Sequence, residues 1–181
     1  MKRVIAFVLS ISLIFLLVAC GGAATPTPTP EPEFDLSEYR EMVARLNEEI
    51  KELSILLSNM GQWQHSFWQA LENIGGTVNF DNMVERVFEW LEENADVSRE
   101  EIEAAHGRIV EQYSAIVRID VEGALAEDIR SNITALFEDF NAFYRLITAP
   151  SGSMGAFASR FNELSNGIVN QNSMLEILLA E

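Results

Sequence analysis

Glu103 and His106 stand three residues apart in Glu103-Ala104-Ala105-His106, which puts a carboxylate and an imidazole on one face of a helix. Helical bundles that hold a di-iron centre use this spacing twice, with two further inward glutamates. Half of that pattern is absent here: the other histidine is His65, and Gln62 stands where its glutamate should be. The remaining reading of His106 is an imidazole at a helix boundary, beside Ala105 and Gly107. Two histidines and one cysteine leave little for zinc or haem. No Asp-x-Asp-x-Asp-Gly loop is present for calcium, and no Gly-x-Ser-x-Gly turn presents a nucleophile. No catalytic residue, metal ligand or cofactor is therefore expected, and the chain does not read as an enzyme.

The most unusual stretch is Gln62-Trp63-Gln64-His65-Ser66-Phe67-Trp68. Phe67 falls on an apolar helix stripe, with Trp63 and Trp68 on opposite sides of it. Two readings fit. The rings line a small apolar pocket or a protein contact, with Gln64 and His65 as its polar groups. Alternatively, both tryptophans cover a wider part of the core against a short helix bearing Trp90. Gln64, Gln112 and Gln171 each hold a stripe position on a different helix. Buried together they would form a hydrogen-bonded layer that fixes register, or a polar patch in a ligand cavity. Trp63, Gln64, Phe67, Trp68, Gln112 and Gln171 are thus the candidate pocket residues.

Two surfaces also stand out. From Glu85 to Glu103, eight carboxylates face only Arg86 and Arg99, as a solvated bundle end would, or a dock for a basic partner. The last segment carries few charges (Arg160, Glu163, Glu176 and Glu181), and Asn162, Ser165, Asn166, Asn170 and Ser173 share its polar face. That face is a candidate protein interface.

A different chemistry is written at the start. Lys2 and Arg3 precede an apolar run from Val4 to Leu17, broken only by Ser10 and Ser12. Fourteen residues fall short of the roughly 20 that a membrane-crossing helix needs and match a signal-peptide core. The run closes on Leu17-Val18-Ala19-Cys20, which resembles the lipobox of bacterial lipoproteins. The resemblance implies that the Cys20 thiol takes a diacylglycerol and that residues 1-19 are then removed. It also implies a lipid-anchored chain facing the extracytoplasmic side of the cell membrane or outer membrane. Cys20 is the single cysteine, so no internal disulfide competes for it.

Residues 20-34 read as a tether. Gly21 and Gly22 provide a loose joint, and four of the five prolines follow between Thr25 and Pro32. Alternating proline favours polyproline II, at about 3.1 Å per residue. Residues 35-181 suit one domain, large enough to bury about two thirds of its unfolded surface without metal or disulfide. Losing Lys2 and Arg3 with the signal leaves ten Lys and Arg against twenty-eight Asp and Glu, a net charge of −18. Such a surface repels nucleic acid and anionic headgroups. The expected partners are the membrane, through diacylglyceryl-Cys20, and an envelope protein; no nucleic acid is expected.

The elements that position these residues are helices. No proline falls between Glu33 and Ala149, and apolar positions recur at three and four. Leu36, Tyr39, Val43, Leu46, Ile50, Leu53, Leu57 and Met60 continue in phase through Gln64 to Phe67, Leu71 and Ile74. One long helix fits them, with Gly61 as a point of bending and Gly75-Gly76 as its end. A short helix from an Asp81 cap follows, and Ser98-x-x-Glu101 has the form of a capping box. Ile102, Ala105, Ile109, Gln112, Ile116 and Ile119 carry the next stripe. The phase slips near Asp120-Gly123, where a kink or short break is expected and a tight turn is the alternative. A stripe from Ala126 to Ile147 follows, then a stop at Pro150, then a last stripe from Met154 to Leu178. These broad faces imply an all-α antiparallel bundle of about four to five helices in preference to an open coiled-coil dimer. The functional expectation is a lipid-anchored binding or scaffolding module of the envelope. A small-molecule or sensor bundle with a pocket near Trp63 and Trp68 is the alternative.

Overall fold

Five helices follow one another in the computed structural model, which describes residues 34-181: α1 (Leu36–Asn73), α2 (Phe80–Ala95), α3 (Arg99–Ile116), α4 (Ala124–Thr148) and α5 (Met154–Ala180). The expected signal peptide, Cys20 and all of the expected linker but Phe34 lie outside the described residues, among which there is no strand.

Side chains start four of the helices by accepting N–H groups that the first turn leaves free. Asp35 caps α1 through Ser37 and Glu38, and Ser153 caps α5 through Ala156. Ser98 and Glu101 form the complete capping box at α3. At α2 the cap is Asn79, not Asp81, because the Asn79 carboxamide accepts the Asn82 N–H at 3.0 Å. α1 ends as its glycines predict. Gly75 has φ +74°, its N–H donates to Glu72 O at 3.0 Å, and that of Gly76 donates to Leu71 O at 2.9 Å. Those paired bonds are a Schellman motif.

Contacts across the helices set their directions. Gln64 meets Ile147, and Tyr39 feels the charges of Glu127 and Arg130, so α1 and α4 run parallel. Arg40 reaches Leu179 and Lys51 reaches Glu176, so α5 is antiparallel to α1. His106 pairs with Asn141 and Tyr113 with Phe137, so α3 opposes α4. α1, α3, α4 and α5 therefore form an up-down-up-down bundle. α2, inserted between α1 and α3, packs on α1, with Phe80 edge-on to Trp68 at 5.0 Å.

The phase slip near residue 120 is a full reversal between α3 and α4, not a kink. Gly123, at φ +95°, starts α4 in a backbone conformation that side chains disfavour. The slip in the stripe is thus the change from one helix's buried face to the next.

α4 buries its whole stripe: Ala126, Ile129, Ile133, Leu136, Phe140, Phe143 and Ile147. α1 does so from Tyr39 to Gln64, with Leu36 half-buried before it; after it Trp68 is buried, Phe67 only half-buried, and Ile74 is 79% exposed. A three-four repeat averages 3.5 residues per turn against the helix's 3.6, a drift of about 20° per heptad. Over a helix of 38 residues the seam passes to the next side chain. α3 is shallower: only Ile102, Ile109 and Ile116 are buried, one per seven residues. In α5, Asn172 is buried while Phe161, Gln171 and Leu178 are half-buried.

Candidate functional site

The three stripe glutamines are not bonded to one another; each donates to a different neighbour. Gln64, fully buried, donates from Nε2 to Ile147 O at 2.8 Å. Ile147 lies in the last four residues of α4, whose carbonyls no N–H of their own helix reaches, so Gln64 caps α4 from α1. Arg40, near the other end of α1, does the same for α5 by donating to Leu179 O. There a guanidinium meets the negative end of the helix dipole. Gln112 donates to Glu49 at 2.6 Å and Gln171 to Asp139 at 3.2 Å, tying α3 to α1 and α5 to α4.

Around the aromatic stretch, Trp63 and Phe67 stack at 5.2 Å and are both half-buried. Trp68 is buried between Phe80 and Phe157. Trp68 thus covers the core beside the short helix. A groove of about 380 Å³ does lie beside this turn, but other residues line it: Gln62, His65 and Ser66 of α1 with Phe157, Phe161 and Asn162 of α5. Gly61 sits at its base. A Cβ there would lie 2.7 Å from Ile147 Cδ1 and closer still to the Phe161 ring, so the glycine lets α4 and α5 approach α1.

His106 stacks on Tyr144 at 3.7 Å and pairs with Asn141 Oδ1 at 3.2 Å. Burial pushes it below the ordinary imidazole value, and nearby Arg145 adds to that, against the Asn141 bond. His65 lies on another helix, in the α1–α5 groove. Among the described residues no group of three or more His, Cys, Asp or Glu is placed to hold a metal ion.

Two surfaces matter beyond these. Between α1 and α3 lies a groove of about 420 Å³. Leu53, Leu56, Ala105 and Ile109 line it with apolar groups, and Glu49, Glu52, Glu101 and Arg108 with charged ones. Sequence reasoning missed it. The only available clue was Ala105, a small residue on a stripe whose other members are larger. On α5, Asn162, Asn166, Asn170 and Ser173 are exposed, as are the large apolar side chains Val169, Met174 and Ile177. Ile55 of α1 is exposed beside Val169 at one notch.

No protein-family model, no curated protein and no solved structure matches this chain.

Proposed function

We propose that this chain is a lipid-anchored extracytoplasmic protein of the cell membrane or outer membrane that binds or scaffolds an envelope protein and has no catalytic activity. The observation that carries the reading is Leu17-Val18-Ala19-Cys20, closing an apolar run of signal-peptide length ahead of a Gly and Thr-Pro tether. Diacylglyceryl-Cys20 is the membrane attachment. The mature surface opposes such contact, since its net charge of −18 repels anionic headgroups. No helix among the described residues is long and apolar enough to cross a membrane. The partner docks on the outward face of α5, where charges are sparse and Val169, Met174 and Ile177 are exposed. Uncharged amides and scattered apolar side chains suit a protein contact better than a field of carboxylates does.

Two experiments test the two halves. Cys20→Ala should abolish fatty-acid labelling and release the protein from membranes; a mutant still labelled and membrane-bound refutes the anchor. Photo-crosslinkers placed at Asn166 and Asn170 in living cells should each yield a discrete protein adduct. Adducts at neither position, with lipidation intact, would refute the binding role.

A further inference from the structure

We propose that the α1–α3 groove is a binding site for a small organic cation with an apolar body, such as an aryl-alkyl amine. The site is distinct from the α5 face, and its occupant does not depend on where the chain is anchored. Its origin is the shallow seating of α3. Ile102, Ile109 and Ile116 reach the core, but the next position toward α1 is Ala105, which stops short and leaves about 420 Å³ open. That volume lies within the usual range of small-molecule sites. The groove extends along α1 from Glu49 to Leu56, two helical turns or about 10 Å. This is too short to seat a partner helix and long enough for a bicyclic ring with a short arm.

The rim selects the charge. Three carboxylates, Glu49, Glu52 and Glu101, stand against one cation, Arg108, around an apolar floor. Two of these carboxylates are held in place. The Gln112 amide donates to Glu49, and the Ser98 N–H and hydroxyl donate to Glu101 at 2.8 and 3.0 Å. The Glu52 carboxylate has no hydrogen bond or ion pair with any other described residue, and it is the one left to meet an ammonium group. The apolar body then covers the half-buried Leu56 and Ala105, removing their surface from water. An anion of the same shape would bring a carboxylate against this rim, and a neutral analogue would leave Glu52 without a partner. Arg108 is the residue that opposes the cation.

Three probes with one ring system separate these effects: 2-naphthylmethylammonium, 2-naphthylmethanol and 2-naphthylacetate, titrated into the full chain by calorimetry and ligand-observed NMR. The ammonium should bind tightest and the acetate weakest, and added salt should narrow the difference. Glu52→Gln should weaken the ammonium about three-fold, as expected for an exposed ion pair, and leave the alcohol unchanged. Arg108→Ala should strengthen the ammonium by a similar factor. Ala105→Phe fills the groove and should displace all three; the two rim variants keep the test independent of how well it folds. Equal affinity for the three probes, no binding of the ammonium, or ammonium binding that ignores both Glu52→Gln and Ala105→Phe would overturn the proposal.

Discussion

α1 forms a groove with each of its two antiparallel neighbours, and the two are nearly equal in size, about 420 Å³ beside α3 and about 380 Å³ beside α5. Their chemistry differs completely. The α3 groove has an apolar floor under an acidic rim, while the α5 groove presents Gln62, His65, Ser66 and Asn162 with no carboxylate. Their foundations differ too. Beneath the α5 groove the packing is so close that Gly61 has no space for a methyl group, whereas the α3 groove exists because Ala105 fills too little. Volume alone therefore does not mark a site. What distinguishes the α3 groove is free volume combined with a rim on which carboxylates outnumber cations three to one.

The largest expected effect tests that contrast directly. Gly61→Val should cost about 1–3 kcal/mol, because the new side chain meets Phe161 and Ile147 in a seam that cannot widen freely. Ala105→Leu, which enlarges the other floor, should change stability by no more than about 0.5 kcal/mol, since the added carbons enter open space. Denaturant midpoints measure both, and equal losses would break the comparison.

Next comes the cap that α1 supplies to α4. Gln64→Ala removes the donor to Ile147 O and leaves a buried carbonyl unpaired, a loss of about 2 kcal/mol by the same measurement. A neutral result would mean that water replaces the amide.

Ser98→Ala acts on the acidic rim by removing the hydroxyl that accepts the Glu101 N–H. It should cost about 1 kcal/mol and fray the start of α3, visible as faster amide exchange at Glu100 to Ile102. Glu101 is held below the usual carboxylate range, first by the Ser98 backbone N–H and then by this hydroxyl. Its titration should therefore move up in the variant.

The smallest effect is one of pH. His106 is held below its ordinary 6.5, chiefly by burial, so the unfolded chain binds a proton more readily than the folded one. The neutral ring's contribution is complete above 6.5 and is lost as pH falls through 6.5 toward the lower folded value. His106→Gln should remove that loss. The stability advantage of the parent chain should shrink between about pH 7.5 and pH 5. A difference independent of pH would show that the stack on Tyr144 does not penalise the charged ring.

Much of the fold was legible in residue patterns because helix formation depends on neighbours three and four apart. The α4 stripe, the Ser98–Glu101 box and the Gly75-Gly76 stop each occur where their local signals stand. The candidate pocket was less legible. Trp63, Gln64, Phe67 and Trp68 do sit on one stretch of α1, but drift of the seam buries Trp68 and leaves Phe67 half-covered. Gln112 and Gln171 lie on α3 and α5, where each bonds a carboxylate on another helix. Burial of Asn172 had no signal in a pattern read by polarity alone.

By itself the sequence determined the helices, their ends and their apolar faces, because these arise from interactions within a turn or two of chain. It also carries Leu17-Val18-Ala19-Cys20, a linear string whose resemblance to a lipobox depends on no fold. Only tertiary structure decided which helices became neighbours, and that choice assigned the polar groups. Gln64 became a cap for α4 and Arg40 a cap for α5 because the ends of those helices come to rest beside α1. The same packing decided that Ala105 borders empty space while Gly61 has none. A side chain's type is local, but the room and the partners it meets depend on residues tens of positions away.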